Sequence, residues 1–187
     1  MSAGKLQFSL FPSSREDFAT IFVPPFASDP AAATWAAILE EGARLRETDL
    51  TQVRPTPRMR ELARRWGARP GDNPDPALLA YAFPDRVAKN RGNGSFTMTS
   101  GRGAFLERTD PLSACEYLVL CALDDRGGDA KVQLAAPISE DRIEEMFADE
   151  IREDAVTEWD RRAECVKTVK LRHLGKMPIR AGGQSEP

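Results

Sequence analysis

Four cations, Arg86, Lys89, Arg91 and Arg102, fall within the stretch PALLAYAFPDRVAKNRGNGSFTMTSGRGAFL, from Pro76 to Leu106. Gly92, Gly94, Gly101 and Gly103 flank the later two. Cations that share a face can neutralise successive phosphates, and glycine, lacking a Cβ, lets a sugar-phosphate chain come close to the backbone. Phe96 and Phe105 lie in the same stretch, and an aromatic ring there could serve as a platform on which a base stacks. A small β-domain also needs large inward side chains, so at least one of these rings is expected in the core. The chemistry asked of this segment is therefore the gripping of a single nucleic-acid strand, with Arg86, Lys89, Arg91, Arg102 and Phe96 as its contacts. The competing reading of each cation is turn chemistry and solubility.

Catalysis has no comparable support. His173 is the sole histidine and lies among Lys170, Arg172 and Lys176, so no metal site is expected. Cys115, Cys121 and Cys165 form no C-x-x-C pair, and their odd number suits reduced, inert thiols in apolar strands. No serine, cysteine or carboxylate pair forms a catalytic constellation. No G-x-x-x-x-G-K-[ST] loop is present to cradle phosphates, and no D-E-x-H tetrad to hold magnesium. The chain alone is thus expected neither to bind nor to hydrolyse ATP, and it is assigned no cofactor. The longest strongly apolar run, YLVLCAL from Tyr117 to Leu123, is too short to cross a bilayer, and the N-terminus lacks a secretory pattern. A cytoplasmic location without a membrane partner is expected.

Charge is segregated along the 187 residues, whose formal net charge is only −3. Arg54 to Arg69 holds six arginines and one acid, and Asp85 to Arg108 five basic residues against two acids. Glu140 to Asp160 reverses the sign, with ten acids against Arg142 and Arg152; Arg161 to Arg180 is basic again. Either these blocks cancel in space as solvated faces, or a basic surface is turned toward phosphates with the acidic helix facing away.

The elements that must position these residues follow from periodicity and turn chemistry. Residues 1–55 are hard to place. LQFSLF alternates like a strand, Phe18, Phe22, Phe26 and Pro24-Pro25 suggest a loop or docking segment, and Asp29-Pro30 opens a helix carrying Trp35, Ile38, Leu39 and Leu45 inward. Residues 56–75 read as a helix from Thr56-Pro57, with Met59, Leu62, Ala63 and Trp66 on its stripe, followed by a turn-rich linker. Asp75-Pro76 starts a third helix that Pro84 breaks. Strands are expected over Ser95–Ser100, Cys115–Leu123 and Lys131–Ala136, with Gly101–Gly103 and Asp124–Asp129 as turns. Ser139 caps a helix with Ile143, Met146, Phe147 and Ile151 on one stripe. A hairpin over Asp154–Trp159 and Glu164–His173 then precedes a flexible tail at 176–187. The class is α+β: N-terminal helices, then a small antiparallel β-domain that could close as a partly open barrel, with an inserted helix and a C-terminal β-hairpin.

Five ordered blocks, LLAYAFPDRVAKNRG, SGRGAFL, DPL…EYLVLCALDD, VQLAAPISEDRIEEMF and TEWDRRAECVKTVKLRHLG, resemble the C-terminal part of the HrpB-type bacterial ATP-dependent helicases of the DEAH family. The resemblance runs from about Thr56 to Gly175. It implies that 56–75 ends a helical helicase-associated region and that 76–175 is an OB-like module lying beside the nucleic-acid path. It also implies a single-stranded partner, RNA ahead of DNA, and docking on a helicase core that would carry the ATP and magnesium. The alternative is a protein-interaction module, for which the acidic Glu140–Asp160 stretch could hold a basic partner.

Overall fold

The computed structural model describes residues 30–41, 45, 47–70, 74–124, 127–160 and 165–179, without the side chains of 155–160 and 165–170. The expected N-terminal strand, the phenylalanine-rich segment, the Asp29 cap, Arg161 and the 180–187 tail lie outside these residues. Helix α1 spans Ala32–Glu40 and buries Trp35, Ile38 and Leu39; Leu45 lies beyond its end. Helix α2 spans Pro57–Arg65. The Thr56 hydroxyl accepts the Met59 backbone N–H at 3.2 Å, and Pro57 occupies a first-turn position where no N–H is needed. Met59 and Ala63 point inward. Trp66, expected on the same stripe, is instead exposed at the position that closes the helix.

Helix α3 is a short piece, Leu78–Ala82, and Pro84–Arg86 form a 3-10 turn. The turn feeds strand β1, Val87–Gly92, where the sequence pattern predicts helix and loop. VAKNRG lacks apolar alternation because Asn90 replaces an inward apolar residue. Its side-chain amide donates to the carbonyls of Ser113 and Cys115, each at 2.8 Å, so the polar group is satisfied. Strand β2 spans Ser95–Met98 and β3 Gly103–Phe105; β4 spans Tyr117–Asp124 and β5 Ala130–Pro137. The expected turn at 101–103 thus ends within a strand too short to show a pattern.

These five strands close into a barrel in the order β1-β2-β3-β5-β4, with β1 returning to β4. All pairings are antiparallel except β3 with β5. Helix α4, Glu140–Met146, follows with Ser139 as its cap. Ile151, expected on its stripe, starts strand β6, Ile151–Asp160. β6 pairs with β7, Cys165–Leu174, and β7 with β8, Met177–Ile179. The expected hairpin is therefore a three-stranded sheet, and the first part of the expected tail is a strand that buries Met177 and Ile179.

Two cores divide the barrel's walls. Ala88, Phe96, Met98, Ala104, Leu118, Leu120, Val132 and Ala135 fill its interior. The outward sides of Val87, Tyr117, Val119, Cys121, Leu134 and Ala136 join a second core with α1, α2, α3, α4, β7 and β8. Burying each large apolar side chain in these cores contributes about 1.5–3 kcal/mol. The covered wall is that of β4, β5 and the start of β1. Among the described residues, the outer side of β2 and β3 carries no residue of either core.

Candidate nucleic-acid interface

The uncovered wall is built from short cross-strand rows. Gly92, Ser95, Phe105 and Lys131 pair in succession across β1, β2, β3 and β5. Ala104 faces the interior, so Gly103 and Phe105 on either side of it face outward. Phe105 is 37% exposed, and Lys131 is exposed at the adjacent position of β5. Arg91 stands at the exposed end of β1, just before the β1–β2 turn. That turn needs left-handed backbone at Gly92, Asn93 and Gly94, and Gly94 lies against the Leu106 carbonyl, where a Cβ would come within 2.5 Å.

Each of two cations on this wall has an acid beside it. Arg91 Nη2 lies 2.9 Å from Asp129 Oδ2, and Lys131 Nζ lies 2.7 Å from Glu107 Oε1. Asp129 comes from the β4–β5 loop and Glu107 from the segment after β3. The Asp129 carboxylate lies over Gly103, so closely that a Cβ at that position would sit 1.9 Å from its Oδ1. Lys131 holds the Glu107 carboxyl below its ordinary range, through the hydrogen bond first and the charge second. All four side chains are about half-exposed or more, so these are solvent-screened pairs.

The five residues expected at the site do not stay together. Phe96 is fully buried in the barrel interior and offers no ring face to a base; this corrects the expectation that placed it at the surface. It occupies an inward position of β2 between Ser95 and Thr97, and the alternation of the strand decides its side. Arg86 keeps only 15% of its side-chain exposure; it donates to the Cys121 carbonyl at 3.3 Å, and its guanidinium carbon lies 5.2 Å from the Phe83 ring centroid. It is tied into the fold and turned from the open wall. Lys89 stands at the wall's edge with its ammonium 5.4 Å from the Tyr117 ring centroid. Arg91 remains on the uncovered side, and Arg102 is half-buried in the β2–β3 turn, opposite the inward-facing Met98. Lys131, Asp129 and Glu107 were not found from the sequence, since only barrel closure brings β5 and its loop beside β3.

Among the described residues, no group of three or more His, Cys, Asp or Glu side chains could hold a metal, and no helix is long and apolar enough to cross a membrane.

No protein-family model matches the chain. The architecture has its likeness among helicases of the DEAH/RHA class. A crystal structure of an Escherichia coli DEAH/RHA helicase superimposes with a TM-score of 0.68 over 94% of this chain and 25% of its own, at 23% identity, a likeness of fold. That helicase is HrpB. The ATP-dependent RNA helicase HrpB of Escherichia coli (strain K12) is 29% identical over 168 residues, 83% of this chain and 21% of that protein. A crystal structure of the E. coli DExH-box NTPase HrpB gives a TM-score of 0.69 and 28% identity, covering 91% of this chain and 23% of that one. The resemblance to HrpB-type helicases read from the sequence is borne out, and the chain spans about a fifth to a quarter of the length of these relatives.

Proposed function

We propose that this chain is an accessory nucleic-acid-binding module of a HrpB-like helicase, that its barrel is OB-like, and that a single strand lies across the outer wall of β2 and β3. The observation that carries this reading is the exposed Phe105 between Arg91 and Lys131 on a barrel wall that, among the described residues, no other element covers. The strand order, with β3 and β5 as the lone parallel pair, is consistent with an OB-like barrel. Barrels of that kind take oligonucleotides on the face of strands 2 and 3 and on the loops between strands 1 and 2 and between 4 and 5. Arg91 and Asp129 border those two loops here.

In this reading Arg91, Arg102 and Lys131 contact phosphates, Lys89 flanks them, and Phe105 stacks on a base. Base stacking of this kind is worth about 1–3 kcal/mol and tolerates any base. The relative's name as an RNA helicase favours RNA over DNA. ATP hydrolysis is left to other parts of such a helicase, since these 187 residues contain neither a phosphate-cradling loop nor magnesium-binding acids. The test is photo-cross-linking of oligouridylate to the full chain, followed by peptide mapping. The adduct is expected at Phe105. Adducts confined to α2 or to the β6–β7 sheet would contradict the assignment.

A further inference from the structure

Both cations that border Phe105 are already engaged by acids of this chain, and the acids come from the two segments that frame the wall. A carboxylate accepts hydrogen bonds from a guanidinium or an ammonium as a phosphate does. Asp129 does so while lying flat over Gly103, beside Phe105 on the outer side of β3. That is where a strand tracking across Phe105 would set a phosphate. Glu107 holds Lys131 on the other side.

We propose that Asp129 and Glu107 are internal competitors for the strand: they fill the phosphate positions at Arg91 and Lys131 and are displaced when nucleic acid binds. The inference rests on the reading of this wall as the binding face. Its consequence is a shallow grip. Every phosphate that arrives exchanges one ion pair for another, and every phosphate that leaves finds its cation re-engaged at once. Such a surface holds a strand weakly enough to let it move on.

The test is a pair of double-mutant cycles, read by fluorescence anisotropy of labelled oligouridylate with the full chain, and repeated with labelled inorganic polyphosphate as a second, independent probe. Asp129→Asn should tighten binding about two- to fivefold, the equivalent of one exposed ion pair. The gain should vanish in an Arg91→Ala background, because the competitor then has nothing to occupy. Glu107→Gln should behave likewise with Lys131→Ala. Glu116→Gln, an exposed acid before β4, serves as the control for generic removal of negative charge. A gain from Asp129→Asn that persists without Arg91, or that Glu116→Gln reproduces, overturns the proposal. Loss of binding in Arg91→Ala and Lys131→Ala with additive cycles would leave the binding face standing and remove the competitors. Coupled gains with polyphosphate but no binding of oligouridylate would keep the competitors and remove the nucleic acid. Binding of neither probe overturns both.

Discussion

Arg86 reaches across 35 positions of the chain to donate to the main-chain carbonyl of Cys121, at 3.3 Å. It ties the 3-10 turn after α3 to the covered wall of β4, with its guanidinium against Phe83. A cation that read as a phosphate ligand is thus a bond between the helices and the barrel. Arg86→Ala is expected to lower stability by about 1–3 kcal/mol, because a part-buried acceptor loses a charged donor. Oligonucleotide affinity and its salt dependence should not change. Urea unfolding and anisotropy on the same variant check both statements.

The two phenylalanines should separate cleanly. Phe96→Ala opens a hole in the barrel interior and is expected to cost about 3–5 kcal/mol. Phe105→Ala removes an exposed ring and should stay within about 0.5 kcal/mol of the parent in stability. Its effect should appear in affinity for oligouridylate, as the loss of one stacked base. Thermal unfolding and binding measured side by side will show which ring does which.

Glycines on the same wall carry different constraints. Gly94→Ala forces a side chain into left-handed backbone (φ 76°) and into the Leu106 carbonyl, a fixed obstacle. The conformational part alone is about 1–2 kcal/mol. Gly103→Ala meets first the carboxylate at the end of the Asp129 side chain, which can swing away. It should cost under about 0.5 kcal/mol, as surface changes do. Equal destabilisation of the two variants in chemical denaturation would show that the Asp129 carboxylate is fixed in place.

The Cys121 thiol is buried in the covered wall, and burial pushes its ionisation far up. The thiolate, not the thiol, attacks alkylating reagents. Modification of Cys121 at mildly alkaline pH is therefore expected to run at the rate of global opening and to accelerate with urea. Peptide mapping after a timed iodoacetamide pulse checks this; rapid labelling of Cys121 in the native chain would contradict the packing of β4.

Elements with a strong local signature were legible in the sequence. Thr56-Pro57 announced α2, Ser139 announced α4, and YLVLCAL announced a strand buried on both sides. β1 was not legible, because Asn90 meets its needs through Ser113 and Cys115, more than twenty residues away. β3 and β8 are three residues each, shorter than any periodicity can reveal. The candidate site was half legible. Arg91, Arg102 and the ring at Phe105 lie in the one segment where cations and glycines are dense in the sequence. Lys131 and Asp129 joined them only through the parallel pairing of β3 with β5, a contact between distant segments that no local spacing encodes.

The central claim is that phosphates are held on the outer wall of β2 and β3. Its most direct test is the salt dependence of oligouridylate binding by the full chain, with and without Arg91→Ala, Arg102→Ala and Lys131→Ala combined. Three phosphate contacts on a single strand, at roughly 0.7 each, give a log–log slope of about −2. The triple variant should fold normally and bring the slope close to zero, while alanine at the α2 arginines Arg58, Arg64 and Arg65 leaves it near the parent value. A slope that survives the barrel substitutions and collapses with those on α2 would contradict the account.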